Sequence, residues 1–378
     1  MTLLTVNAGS TSVKLALFEL ESSHCLSRVQ VESHASNEDP RAVLDALKRS
    51  GSHAISAVAH RVVHGGNRFS RPTVLDTPAI TAIEALAPLA PLHNSAALRW
   101  IKAARELWPE APQVAAFDTT LFTALPRVAA EYALPAHLGT EIGVRRYGFH
   151  GLAHQAMLDA WCSLYPELER GGRVITLQLG GGCSVTAFDR GRPIDTSMGF
   201  SPLEGLVMAT RSGDLDPAVI PYLQKTRGLS AEQTIRELNE HAGLAGVSGL
   251  SEDPSALLRH PSPQAQFAVE LYCYRIRKFI GSYLAALGGC DGIVFGGGVG
   301  EHAPGVRSRA LQNMEWAGIR IDPLFNDIAD GGHAIISAAE SSVKVHVVVV
   351  DEASALARAA VDLLGRFLEP SYAQELSA

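Results

Sequence analysis

Two stretches half a chain apart share one plan, and that duplication limits the fold more than any other feature. LTVNAGSTSVKLALF, ending at Phe18, and VITLQLGGGCSVTAF, 174–188, each read as an apolar strand, a loop of small residues, a Ser-Val pair and a second strand. An internal repeat of this kind implies two similar domains that face each other. The run VAAF before Asp118 is strand-like, and the boundary is placed near Phe117. The predicted domains are 1–117 with 354–378, and 118–353.

At 378 residues the chain is longer than one hydrophobic core usually serves, which agrees with two domains. With 47% apolar and 19% charged residues it should fold throughout. The net charge is −7 and no Lys/Arg cluster could follow a phosphate backbone, so nucleic acid is excluded as a partner. Five scattered cysteines without C-x-x-C spacing suggest a reducing cytoplasm rather than disulfides or zinc. The run VHVVVV, 345–350, is strand-sized, and no membrane span or export signal is expected.

Between the repeats, periodicity predicts a strand at 55–63, a helix near 78–87 and a helix near 93–107 capped by Asn94 or Ser95. Further helices are predicted near 231–241 and 264–287, a strand and loop at 291–304, and an amphipathic helix from 353.

Three glycine-rich loops each follow a predicted strand: NAGSTS, LGGGCS and FGGGVGE. Glycine lets backbone N–H groups approach an anion, and Ser or Thr hydroxyls add donors. A tight turn explains any one loop; three of them, two in matched repeat positions, favour phosphate. Ser10, Ser12, Lys14, Gly180, Gly181, Gly182, Gly297, Gly298 and Gly300 are therefore the phosphate or nucleotide candidates. Neither G-x-x-x-x-G-K-[ST] nor G-x-G-x-x-G with its acidic partner is present, which disfavours a P-loop NTPase and a Rossmann dehydrogenase.

The ordered set NAGSTSVK (7–14), HRVVHGG (60–66), PLHN (91–94), FDT (117–119), RRYGFHG (145–151), DTSMGFSPLEG (195–205) and ATRSGDLDP (209–217) resembles the acetate kinase (acetokinase) family of the actin, hexokinase and Hsp70 superfamily. The match runs from residue 5 to about residue 355, and RRYGFHG with TRSGDLDP is its most specific part.

The resemblance implies an α/β fold of duplicated ribonuclease H-like domains, the actin-like ATPase fold, with a cleft between them. It implies reversible phosphoryl transfer from ATP to acetate with Mg²⁺, or Mn²⁺ in its place, in a cytoplasmic homodimer joined through the C-terminal domain. Arg61 and Arg211 match the family's arginines for the substrate carboxylate and the phosphoryl group, and their planar forks suit both anions. His150 matches a histidine that donates to the phosphoryl group, and Asp118 an aspartate that orients an active-site arginine. Asn7 and Glu352 match the magnesium environment, with Asp351 an adjacent alternative. The acyl pocket falls to Val63, Leu92, Phe149 and Pro202, and Asp253 joins the nucleotide set. His60, His64 and His93 lie in matched motifs and are assigned to bracing loops.

Departures from the family pattern gather at the nucleotide end: Gln178 stands for a histidine, Gly181 and His302 for asparagines, and Ser255 for an arginine. Phe122 also stands where FDT is usually followed by a histidine. Pyrophosphate as donor, and propionate or butyrate as acceptor, therefore stay open beside ATP and acetate. A nucleotide-binding switch without kinase activity is the remaining alternative, though it gives Arg61, Arg211 and His150 no reason to occur together.

Overall fold

The computed structural model describes residues 1–9, 12–32, 39–49 and 54–367. Ser10 lies outside them, as do the side chain of Leu92 and residues 368–378. The chain forms two compact units, one of Met1–Thr123 with the segment from Asp351, the other of Ala124–Val350.

Each unit is built on a six-stranded mixed sheet. The first contains β1 (Thr2–Ala8), β2 (Ser12–Glu19), β3 (Cys25–Glu32), β4 (Ile55–Val62), β5 (Thr73–Val74) and β6 (Gln113–Phe117), in the order β3-β2-β1-β4-β6-β5. The second contains β7 (Arg173–Leu179), β8 (Cys183–Asp189), β9 (Arg192–Thr196), β10 (Gly292–Gly296), β11 (Ala334–Ile335) and β12 (Lys344–Val347), in the order β9-β8-β7-β10-β12-β11. The orders match strand for strand. β1–β2, β2–β3 and β5–β6 are antiparallel and β1–β4 and β4–β6 parallel, and the second sheet repeats every orientation. The duplication seen in two hairpins thus extends to whole sheets.

Strand ends place Asn7 opposite Gln178 in this comparison, and their hairpin partners are Lys14 and Ser184, so the Ser-Val pairs matched by sequence are two residues out of step.

β1 is buried at every residue, as expected of a strand covered on both faces. The helix Pro91–Leu107 places Trp100 and Ala104 in one apolar cluster with Leu4, Val6 and Val58, and Leu98 and Ile101 in a second with Val62, Ala115 and Phe117. It begins at Pro91, whose fixed φ suits the first helical position, and not at the predicted cap. Asn94 instead accepts from the His64 N–H and donates to the His64 carbonyl, both at 3.0 Å.

In the second unit, the helix Gly151–Leu164 lies on its sheet through Trp161, which is fully buried and donates to the Gly171 carbonyl at 2.8 Å. A Cβ at Gly292 would come within 2.1 Å of that indole, so only glycine lets helix and β10 approach this closely. This contact fixes the helix and with it His150 at its amino end. The third glycine run is not a loop: β10 passes directly into the helix Gly297–His302, with Gly297 at φ +76°. No helix among the described residues is long and apolar enough to cross a membrane.

Candidate active site

Parallel β1, β4 and β6 bring their carboxyl ends to one edge of the first sheet, where ligands of α/β proteins commonly bind. Asn7, Arg61 and Asp118 stand there, with Glu352 opening the helix Glu352–Phe367. Arg61 grips the buried Asp118 with Nε at 3.0 and 3.1 Å and a terminal nitrogen at 2.5 Å. Its other terminal nitrogen donates to Asn7 Oδ1 at 2.9 Å and lies 3.7 Å from Glu352, whose carboxylate accepts from Asn7 Nδ2 at 2.7 Å. Burial opposes the Arg61 charge, but the carboxylates of Asp118 and Glu352 outweigh it and raise the arginine's pKa. Burial also pushes the Asp118 carboxyl above its ordinary range, against the pull of Arg61.

Two placements refine the expectations for this unit. Asn7 Oδ1 accepts from Arg61 while its amide donates to Glu352, so Asn7 steadies Glu352, and the second lone pair of its oxygen stays open to an ion. Asp351, the adjacent alternative, pairs with Arg28 and accepts from Ser354. Val63 is buried beside Arg61, Lys14 is exposed on β2, and Ser12 opens that strand.

In the second unit His150 adopts a left-handed conformation, φ 60° and ψ 29°, an uncommon backbone state that clusters at functional sites. Its Nδ1 lies 2.9 Å from Ser184 Oγ. Its Nε2 is 3.3 Å, and an Arg211 terminal nitrogen 3.6 Å, from where a Cβ of Gly182 would be, so the glycine hairpin runs beside both. Arg211 donates to the Pro202 carbonyl at 3.2 Å and has no carboxylate within salt-bridge distance among the described residues. Burial lowers its pKa, the mark of a cation held without an anion.

A brace supports this group. Arg146 joins Glu204 at 2.7 Å and donates to the Ser197 carbonyl, while Tyr132 donates to Glu204 and accepts from the Phe200 N–H. Motif RRYGFHG is thereby tied to DTSMGFSPLEG. Gly199 sits beneath the brace, where a Cβ would fall 1.5 Å from Glu204 Oε2. Phe149 is buried and Pro202 half-buried alongside.

The nucleotide-end candidates are largely engaged by their own unit. Asp253 caps the helix Pro254–Arg259 with both carboxylate oxygens. Glu301 accepts from the Gly297 and Val350 N–H groups, both at 3.0 Å, and His302 pairs with Asp330. Gly181 and Gly298 border open space, Gly180 bonds across its hairpin to Gly182, and Gly300 lies in the short helix. Gln178 has a buried Oε1 with no partner among the described residues. Arg307, absent from the sequence-based set, is fully buried and donates to Asn326 Oδ1 and to the carbonyls of Gly300, Glu301, Asn326 and Ala329. Also unforeseen were His154, Ser184 and Thr176, although His154 is four residues from His150 and that spacing puts both on one helix face.

Two of the predicted bracing histidines, His60 and His64, are buried and neutral, and His93 is half-buried. Burial lowers His60 to about 4, against its 2.9 Å bond to Gln113, and lowers His64 to about 4. A folded pKa below the unfolded one means the unfolded chain binds more protons between about pH 4 and 6.5. Stability should therefore be full above that window and fall as pH drops through it, with His60 contributing about 3 kcal/mol. Urea midpoints measured from pH 7 to 4 check this, and a His60→Gln variant should show a shallower fall.

A duplicated sheet pair, with a paired arginine on one unit and an unpaired one beside a glycine hairpin on the other, is the equipment of a phosphotransferase, and comparison with known proteins narrows the class. The Acetokinase family model matches residues 26–358. An acetate kinase of Clostridium beijerinckii is 36% identical over 399 residues, covering 96% of this chain and all of its own. The crystal structure of Porphyromonas gingivalis acetate kinase superposes with a TM-score of 0.87 at 35% identity, covering 96% of this chain and 99% of that one. A propionate kinase from Francisella tularensis superposes with the same score at 32% identity, covering 95% and 98%. The chain belongs to the acetokinase family, whose members phosphorylate a carboxyl acceptor from a nucleotide with a divalent metal. Membership sets aside the non-catalytic switch.

Proposed function

We propose that this chain transfers a phosphoryl group reversibly between ATP and acetate, giving acetyl phosphate and ADP with magnesium. Arg211 carries the proposal: a largely buried guanidinium with no carboxylate partner among the described residues, lining the same glycine hairpin as His150 Nε2, suits an anion that arrives with the substrates. An acetate oxygen attacks the γ-phosphorus in line, a P–O bond forms, and the bond to the bridging oxygen breaks, leaving its electron pair on ADP. Acetate is ionised at neutral pH and needs no general base. Arg211 and His150 stabilise the charge spread over the equatorial oxygens.

Arg61 keeps one N–H on each terminal nitrogen beyond its bonds to Asp118 and Asn7, and these hold the acceptor carboxylate while Asp118 fixes the fork. Val63, Leu92, Phe149 and Pro202 are assigned to the acyl group, where one methylene is worth only ~1–3 kcal/mol. Glu352, steadied by Asn7, would hold the metal. That donor set fits an ion that keeps most of its waters, and no group of three or more His, Cys, Asp or Glu forms a cage among the described residues. When bound, the ion offsets charge on the phosphate oxygens.

The glycine hairpin and Gly297, Gly298 and Gly300 are assigned to the donor's phosphates. Pyrophosphate is the second donor because Asp253, Glu301 and His302 are engaged elsewhere. Exposed Phe267 and Tyr274, seven residues apart on the helix Pro263–Leu287, suit a homodimer, and five free cysteines suit the cytoplasm. Trapping acyl phosphate as hydroxamate, with acetate, propionate and butyrate each crossed with ATP, GTP and pyrophosphate, tests the reaction. Acetate with ATP should give the most product; no product from any pair would refute it.

A further inference from the structure

Four side chains of the second unit form one hydrogen-bonded line: Thr176 Oγ1 to His154 Nδ1 at 2.7 Å, His154 Nε2 to Ser184 Oγ at 2.7 Å, and Ser184 Oγ to His150 Nδ1 at 2.9 Å. Thr176, His154 and Ser184 are each fully buried. Ser184 Oγ meets only these two rings among the described residues, so its buried O–H is satisfied only by donating to one imidazole while the oxygen accepts from the other. Burial drives His154 well below its ordinary pKa and leaves it neutral, with one donor and one acceptor nitrogen. The line therefore has two polarities, and choosing one bond fixes the rest.

Thr176 makes the choice. Its hydroxyl meets only His154 Nδ1 among the described residues. Were that nitrogen protonated, the Thr176 O–H would be a buried donor without an acceptor, a costly state. With Thr176 donating, His154 carries its proton on Nε2 and gives it to Ser184, and Ser184 donates to His150 Nδ1. His150 Nδ1 is then an acceptor, and the ring's proton is on Nε2, the nitrogen beside Gly182. The Arg211 cation, which borders the same glycine, also works against a doubly protonated ring.

We propose that Thr176, His154 and Ser184 are positioning residues that hold His150 as the neutral Nε2–H tautomer, so that it presents a hydrogen-bond donor without carrying charge. The inference rests on the assignment of His150 to the phosphoryl group. Nothing in RRYGFHG reveals it, because the hydroxyl that sets the polarity lies on β7, 26 residues further along the chain. Only the fold brings the four together.

The test is ¹⁵N NMR of the full-length protein labelled at histidine, at pH 8, with the His150 signals identified by their loss in His150→Asn. The expected spectrum shows a bare Nδ1 and a protonated Nε2; a protonated Nδ1, or a ring protonated on both nitrogens, overturns the proposal. Thr176→Val keeps the shape, removes the hydroxyl and touches no substrate. It should mix the tautomers at His150 and lower kcat about threefold to thirtyfold with KM for acetate unchanged, while Thr176→Ser restores both. An unaltered His150 spectrum in Thr176→Val also overturns it. His150→Asn separates the two ideas: if it turns over normally, the catalytic assignment fails while the tautomer result stands by itself.

Discussion

Arg211→Ala is expected to lower kcat by about three to five decades, roughly 4–7 kcal/mol of transition-state stabilisation, while the melting temperature stays level or rises. The two effects have one cause. Arg211 is held largely out of water with only the Pro202 carbonyl and the Met208 sulfur as partners among the described residues, and burial lowers its pKa. Such a cation destabilises the empty protein and is repaid when a phosphoryl group with three charged oxygens is beside it. Removing it relieves the folded state and strips the transition state of its main positive charge. Arg211→Lys should recover only part of the loss, because a point charge replaces a planar fork. Steady-state rates and thermal unfolding of the purified variants decide the matter. Turnover within tenfold of the parent would remove Arg211 from the chemistry, and a clear fall in melting temperature would show that it supports the fold instead.

The sequence disclosed the parts of the fold that repeat and hid those that close it. The hairpins β1–β2 and β7–β8 are legible because apolar strands flank conspicuous glycine loops. The edges β5 and β11 are two residues each, too short for any period to register. The run at 296–300 looked like a third loop because glycine is read as a turn former, yet Glu301 folds back onto the Gly297 N–H and the segment is helical. Asn94 has the chemistry of a cap, but its amide serves the His64 backbone.

The candidate site follows the same rule. The types and spacing of Arg61, Asp118, His150 and Arg211 were visible as motifs. The pairing of Asn7 Oδ1 with Arg61 and the line from Thr176 to His150 depend on strands distant in sequence, and no local pattern encodes them. The duplication also conceals a divergence. Strand ends that carry Asn7, Arg61 and Asp118 in the first sheet correspond to Gln178, Phe295 and Val348 in the second, so one fold supplies charge on one unit and open glycine backbone on the other.

The Arg61–Asp118 pair should respond unequally to loss of either partner. Asp118→Ala leaves a guanidinium that cannot shed its proton, 13% exposed and deprived of three bonds. It should cost about 3–5 kcal/mol of stability and, by releasing the Arg61 fork, raise KM for acetate. Arg61→Ala leaves a carboxyl at 1% exposure, but a carboxyl can take up a proton, and burial already pushes Asp118 upward. Without the arginine that shift grows. A folded pKa above the unfolded one means the folded state binds the proton more tightly, so the contribution is intact below the unfolded pKa and is lost as pH rises through the folded one. Arg61→Ala should thus be least impaired near pH 5 and lose stability toward pH 8, whereas Asp118→Ala should not share that rise and fall. Urea unfolding of both single variants and the double variant at the two pH values completes the cycle, and the double should be more stable than Asp118→Ala alone. Equal losses in the two single variants at both pH values would mean that the pair is not a buried ion pair but a solvated contact, with no hold on the geometry of Arg61.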